Sequence, residues 1–313
     1  MKKIGIRCFF LILLYFLLFH AKSCVQFASQ GLLVWFQTMI PTLLPFMIVT
    51  SMMILLQVHR SFIRILEPFL YRIYHINGDS IYCVVFGFLC GFPMGARIVA
   101  QLYDQKYISK TEGQYLLSFC NNIGPIYFIN IVFQGIRGGY HIAFLLGMYA
   151  IPILYGILMR YTLYRHMPIT AHRDVTEIPR KSKLTLFLAL DESIHSAFHS
   201  ITTLGGYMIF FNLCTYIPIC ILGKMQQTNA LPYLMNCVLE ISSGVQNVLH
   251  SNIPWSMKEQ IILVTVMFGG VSCIAQTISC IRTLNCSIFP YCVHKLIQSC
   301  FFYLYINMIY TLF

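Results

Sequence analysis

Apolar runs long enough to cross a lipid bilayer, about 20 residues, recur from one end of this 313-residue chain to the other. Inside hydrocarbon every backbone N–H and C=O must be hydrogen-bonded within the protein. Such runs therefore fold as helices, and a break in one survives only where protein or a water-filled cavity surrounds it. Hydrophobic residues make up 58% of the chain and charged residues 10%, against roughly 25% charged in a soluble domain. No hydrophilic stretch is long enough to form a soluble catalytic domain. The fold class is all-α, a polytopic membrane protein.

The candidate segments are residues 31–56, 81–103, 115–134, 140–159, 197–222, 231–249, 260–281 and 288–312. A short helix over 4–19 precedes them, read as retained because Lys22 occupies the place where a signal-peptide cleavage motif needs small residues. Residues 60–75 put Arg60, Arg64 and Arg72 among apolar side chains, the pattern of a helix lying in the membrane interface.

The net charge of +11, from 21 Lys and Arg against 10 Asp and Glu, resides in the connectors. There it reports orientation and contact with anionic membrane lipid, not nucleic-acid binding. Thirteen cysteines include no C-x-x-C pair, so they are expected to pack as small apolar residues. If every apolar segment crossed once, a basic N-terminus held inside would leave the basic connector 160–183 outside, against the positive-inside rule. Letting residues 81–103 enter and leave on one side, as a re-entrant hairpin turning at 91–95, corrects the parity. Connectors 57–80, 104–114 and 160–183 then all lie inside. The expected location is the cell (plasma) membrane, multi-pass, with the N-terminus and residues 160–183 cytoplasmic.

The two halves show faint, ordered similarity. "FQTMIPTLLPFMI" (36–48) lies on "FHSITTLGGYMIF" (198–210), "ILEP" (65–68) on "VLEI" (238–241), and "CGFPMGARIVA" (90–100) on "GGVSCIAQTIS" (269–279). This alignment sets Glu67 against Glu240 and Arg97 against Gln276. With the topology above the halves run in opposite senses, so the expectation is two inverted repeats, each containing a re-entrant or broken-helix hairpin. The domains follow: 1–30, an N-terminal helix and connector; 31–160, the first repeat and a spanning helix; 161–195, a basic cytoplasmic connector; 196–313, the second repeat.

Three stretches invite unwinding, 91–95, 121–125 and 269–272, and inverted-repeat carriers bind solute where such breaks meet near the midplane. The candidate substrate-binding residues are Gly91, Pro93, Gly95, Arg97, Asn121, Asn122, Gly269, Gly270, Ser272 and Gln276. They suit a small polar solute, uncharged or weakly anionic; tight packing through small residues is the alternative. Arg97 at a helix centre costs roughly 2.5–3.5 kcal/mol, so it either snorkels to water or pairs with Glu67, Glu240 or an anionic solute. Glu240 and Glu67 are the candidate ion-coupling carboxylates; for Glu240 the alternative is capping the following "SSG". His195 and His199 have i, i+4 metal-ligand spacing but no evident third ligand. No catalytic motif, resident metal or cofactor is indicated, and the chain is not expected to be an enzyme.

The stretch "GFPMGARIVAQLYDQKYISKTEGQYLLSFCNNIGPIYFI" (91–129) carries a resemblance. Its G-F-P-M-G-A-R run (Gly91 to Arg97), its I-S-x-x-E-x-x-x-L-L connector (Ile108, Ser109, Glu112, Leu116, Leu117) and its asparagine pair before Pro125 resemble the YlbJ-type sporulation integral membrane proteins. "FGGVSCIAQ" (268–276) is similar to that family's second hairpin. The resemblance implies a nucleoside-recognition (Gate) membrane domain, here only a domain label, and a role in spore cortex formation in Firmicutes. It implies a carrier or channel-like protein for a small polar solute. The alternative is a scaffold or signalling component docking other sporulation membrane proteins, or further copies of itself, through its basic connectors. An enzyme acting on lipid-linked precursors is the remotest reading.

Overall fold

The computed structural model describes residues 2–137, 139–168, 185–222 and 230–312. Every regular element among them is helical. Helix α1 (Lys2–Phe19) precedes α2 (Ala21–Val34), which passes through a π-helical stretch at Trp35–Met39 into α3 (Ile40–Leu55). Together α2 and α3 form one apolar span of 35 residues. Two short helices follow, α4 (His59–Ile63) and α5 (Glu67–Tyr74), in the region read as interfacial. The chain then turns 94° into α6 (Gly78–Cys90).

Helix α7 (Met94–Asp104) folds back along α6, and their open ends are tied together where Asn77 Nδ2 donates to the Tyr107 carbonyl at 3.3 Å. The hairpin expected over 81–103 is therefore present, with its tip at 91–93. Asn77 also caps α6, accepting from the Ser80 N–H at 2.7 Å. Helix α8 (Lys110–Leu117) opens with a reciprocal cap: Ser109 Oγ accepts from the Glu112 N–H at 3.2 Å and Glu112 Oε2 from the Ser109 N–H at 2.9 Å. The I-S-x-x-E motif is thus a capping box. Residues 118–124 unwind, α9 (Pro125–Asn130) resumes the helix, and α10 (His141–Tyr161) spans.

The second half begins with α11 (Leu186–Leu222), a span of 37 residues. Helices α12 (Leu231–Leu239) and α13 (Ile241–Leu249) fold against each other about Glu240, the residue between them. Helices α14 (Trp255–Phe268) and α15 (Gly270–Cys280) form a single span of 26 residues, broken at Gly269. Helix α16 (Phe289–Leu312) closes the described chain. This corrects the expected register. The second hairpin turns at Glu240, and Gly269 interrupts a through-running helix, as the unwound residues 118–124 do after the first hairpin. Long helix, hairpin, broken helix and single helix thus occur twice in the same order.

Two apolar cores hold the bundle. One surrounds the α6–α7 hairpin and includes Met47, Ile81, Tyr82, Leu102 and Leu116; the other joins α9, α10, α12–α14 and α16 through Phe128, Phe144, Val245, Ile262 and Phe302. Large apolar side chains left outside, such as Phe10, Leu18, Ile142 and Leu304, suit contact with lipid tails. Arg160, read as a connector charge, is buried and caps the end of α5, with Nε donating to the Tyr74 carbonyl at 3.0 Å and Nη2 to that of His75 at 3.3 Å. The remaining basic residues of the connector, from Arg173 onward, lie outside the described residues.

The base of the first hairpin is clamped electrostatically. Asp79 accepts from Arg60 Nε at 2.9 Å and Nη2 at 3.0 Å, while His59 Nε2 lies 2.8 Å from its Oδ1. Asp79 and His59 are buried, and removing one partner of a buried ion pair leaves the other charge uncompensated. Asp79→Ala is expected to destabilise the protein by about 3–5 kcal/mol, read as lowered thermal unfolding in nanodiscs. An unchanged midpoint shows that the clamp is not structural.

Candidate functional site

The hairpin tip meets the unwound stretch backbone to backbone. Gly91 has φ +85°, and a Cβ there would collide with the Gly124 backbone; at Gly95 a Cβ would strike the Cys120 carbonyl. Glycine is required by the first position's left-handed conformation and by both close approaches. The freed polar groups of 118–124 are taken up by neighbours. Asn121 Nδ2 donates to Thr277 Oγ1 at 2.9 Å and Tyr291 OH at 3.0 Å, and Gln298 Nε2 to the Ser118 carbonyl at 2.6 Å. Lys295, only 1% exposed, donates to Asn122 Oδ1 at 2.7 Å, with its ammonium 4.8 Å from the centre of the Phe92 ring.

Two cavities flank the tip. The first, about 270 Å³, extends along α7 from Pro93 past Arg97 to Asp104, and along α11 from Ser196 to Tyr207. The second, about 280 Å³, lies beyond the tip against Gly91, Phe92, Gly124 and Glu240. Leu204 and Gln276 line both. The order is the same on separate elements. On α11 the lining passes from Ser196 to the shared Leu204 and on to Met208. On α15 it passes from Cys280 to the shared Gln276 and on to Cys273. The cavities therefore stand in file through the bundle, divided by the tip, one leucine and one glutamine.

Their chemistry differs. In the first cavity Arg97 Nη2 donates to Ser51 Oγ and Ser196 Oγ, both at 3.1 Å, while Nη1 is buried without a hydrogen-bond partner. Among the described residues no carboxylate oxygen lies within 4.0 Å of this guanidinium. Ser200, Thr203, Gln101 and Ser279 add further polar groups. The second cavity is mainly apolar around one carboxylate, Glu240, whose Oε2 accepts from Ser243 N–H at 2.8 Å and Ser243 Oγ at 2.9 Å.

No protein-family model and no solved structure matches the chain. The sporulation integral membrane protein YlbJ of Bacillus subtilis (strain 168) is 23% identical over 326 aligned positions, covering 94% of this chain and 79% of YlbJ. The chain is thus similar to a sporulation integral membrane protein along nearly its whole length.

In this chain the expected site residues separate into two groups. Gly91, Pro93, Arg97, Gln276 and Glu240 face the cavities. Gly95, Asn121, Asn122, Gly269, Gly270 and Ser272 line neither. The two asparagines are braces, and Ser272 accepts from Gln276 Nε2 at 3.0 Å, steadying the dividing glutamine. Gly269 packs against the Phe92 ring. Glu67 is at the start of α5 against Gly78, away from both cavities. Arg97 takes none of the protein pairings considered from sequence, since neither Glu67 nor Glu240 is within ion-pair reach. Exposed His195 lies 3.7 Å from Asp191, and His199 lines the first cavity. Sequence reasoning passed over Lys295, Ser51, Ser196, Phe92 and Leu204. Only Lys295 carried a usable signal, an ionisable residue in the middle of a membrane-length helix.

Proposed function

We propose that this protein is a sporulation membrane carrier that moves a small polar solute bearing an anionic group between the two cavities. The observation that carries this reading is the pair of cavities standing in file on either side of the hairpin tip and sharing Leu204 and Gln276 in their linings. A buried guanidinium with one unpartnered nitrogen and, among the described residues, no carboxylate within 4.0 Å suits a carboxylate or phosphate group, which arginine binds in fork geometry. The sporulation role follows from kinship with the Bacillus subtilis protein.

In this reading the twice-occurring order of elements is a pair of inverted, Gate-like repeats, with the tips at 91–93 and Glu240 as counterparts. The first cavity opens toward the cytoplasm, because its mouth at Asp104 adjoins the connector with Lys106 and Lys110.

Native cysteines provide the test. Cys280 lines the first cavity, and Cys90 and Cys273 the second. A membrane-impermeant thiol reagent applied to sealed vesicles of either orientation, with labelled peptides read by mass spectrometry, is expected to reach Cys280 from one face and Cys90 or Cys273 from the other. Labelling of both sets from a single face overturns the reading.

A further inference from the structure

Glu240 raises a question that solute binding leaves open. It is 1% exposed, it joins two short helices in the bundle interior, and among the described residues no Lys, Arg or His nitrogen lies within 4.0 Å of it. Three donors converge on its Oε2: Ser243 N–H, Ser243 Oγ and, at 3.5 Å, Asn212 Nδ2. That arrangement suits a carboxylate anion. Lys295 does not pair with Glu240; its ammonium donates to Asn122 Oδ1 at 2.7 Å.

Polar atoms without partners surround the carboxylate. Asn212 Oδ1, on the same planar amide that touches Oε2, has no hydrogen bond, and neither side-chain atom of Asn236 has one. Both asparagines are fully buried. Asn236 is one helical turn before Glu240, whose N–H donates to the Asn236 carbonyl at 2.8 Å. The Tyr127 hydroxyl adjoins Ser242 on the wall of the same cavity. Buried polar atoms are normally satisfied, so unpartnered amides beside an uncompensated carboxylate point to a ligand.

We propose that Glu240, with Asn212, Asn236, Ser242 and Tyr127, forms a binding site for one alkali cation, sodium. Carboxylate, amide and hydroxyl oxygens are hard ligands that select hard cations over zinc, copper or iron. A single carboxylate matches a single positive charge, whereas calcium sites gather several carboxylates. The proposal rests on the carrier reading for its purpose: an anionic solute crossing into the second cavity meets Glu240, and a bound cation cancels the repulsion. Solute and ion then favour each other's binding.

The experiment needs no solute. Full-length protein in nanodiscs is heated in sodium, potassium or choline chloride at equal ionic strength, at several pH values. Sodium is expected to raise the unfolding midpoint saturably and choline to leave it unmoved, because a ligand stabilises the state it binds. Glu240→Gln and Asn236→Ala are expected to weaken the sodium effect by on the order of tenfold or more; Asp191→Asn, on an exposed acid, leaves it intact. Should Glu240→Gln not fold, Asn236→Ala and radiosodium binding to the native protein decide the matter. Equal effects of all three salts, stabilisation that follows pH alone, or a sodium effect that persists in Glu240→Gln overturns the site. Flux without sodium binding discards the site and keeps the carrier; sodium binding without flux does the reverse.

Discussion

Arg97→Met yields a protein that inserts normally, unfolds at the same temperature or higher, and no longer transports. The two outcomes come from one cause. Arg97 is buried and, among the described residues, no carboxylate lies within 4.0 Å of it, so the native fold bears a desolvation cost of roughly 2.5–3.5 kcal/mol on insertion scales, offset by hydrogen bonds to two serine hydroxyls. Methionine keeps the bulk and removes the charge. Truncating one member of a buried charge pair with a ligand costs about 2 kcal/mol or more, equivalent to roughly 30-fold or more in affinity. Proteoliposomes loaded in turn with labelled succinate, benzoate and inorganic phosphate provide the measurement. Uptake of at least one by the native protein, lost in Arg97→Met with the unfolding midpoint maintained, is the expected result. Native-level uptake in the variant removes Arg97 from the site, and absence of uptake of all three by the native protein removes the anionic solute.

Gly91→Val is expected to be the most damaging substitution at the hairpin tip. A β-branched residue at φ +85° is strained by about 1–2 kcal/mol, and its Cβ lies within 2.8 Å of the Gly124 Cα, adding about 1–3 kcal/mol of overpacking. Neither partner has a side chain to rotate away, so the backbones must separate. The unfolding midpoint falls, and the tip detaches from the unwound stretch. Gly206→Ala is the control. It lies inside α11 with nothing within 4 Å of an added Cβ, and alanine there is expected to stabilise by up to about 1 kcal/mol. Equal midpoints for the two variants contradict the contact between tip and unwound stretch.

The first hairpin was visible in the sequence because charge and glycine agreed. Parity required residues 81–103 to return to the side they entered, and Gly91 with Pro93 marked the turn. The unwound stretch was visible for the same reason, an asparagine pair and a glycine ahead of Pro125. The second hairpin was hidden because its turn uses neither glycine nor proline. Glu240 takes an extended conformation, φ −140° and ψ 115°, and caps α13 through Ser243; the capping considered for it from sequence was the fold signal itself. Gly269 and Gly270 drew attention as a turn, yet they interrupt a helix that continues. A glycine pair marks a departure from helical geometry without saying by how much the chain bends. Arg160 was misplaced because a basic residue at a helix end reads as solvated, and only the tertiary fold brings the α5 carbonyls to it. Of the residues expected at the site, Arg97 and Glu240 face the cavities as single charges, Gly91 and Pro93 from the hairpin tip, and Gln276 from within α15. The asparagines look identical in sequence, but their hydrogen bonds are taken by Thr277, Tyr291 and Lys295 side chains and by the Ala96 and Phe119 backbone.

The dividing wall has a consequence for leakage. The Leu204 and Gln276 side chains line both chambers, and the tip at 91–93 stands between them, so a displacement of the tip would bring the two toward a continuous pore. Such a hole would dissipate any ion gradient held across the membrane. The tip is accordingly moored on both flanks, by the Asn121 amide to the Ala96 N–H and by the Lys295 ammonium over Phe92. In the carrier proposed above, releasing one mooring at a time would open one chamber while the other stays sealed.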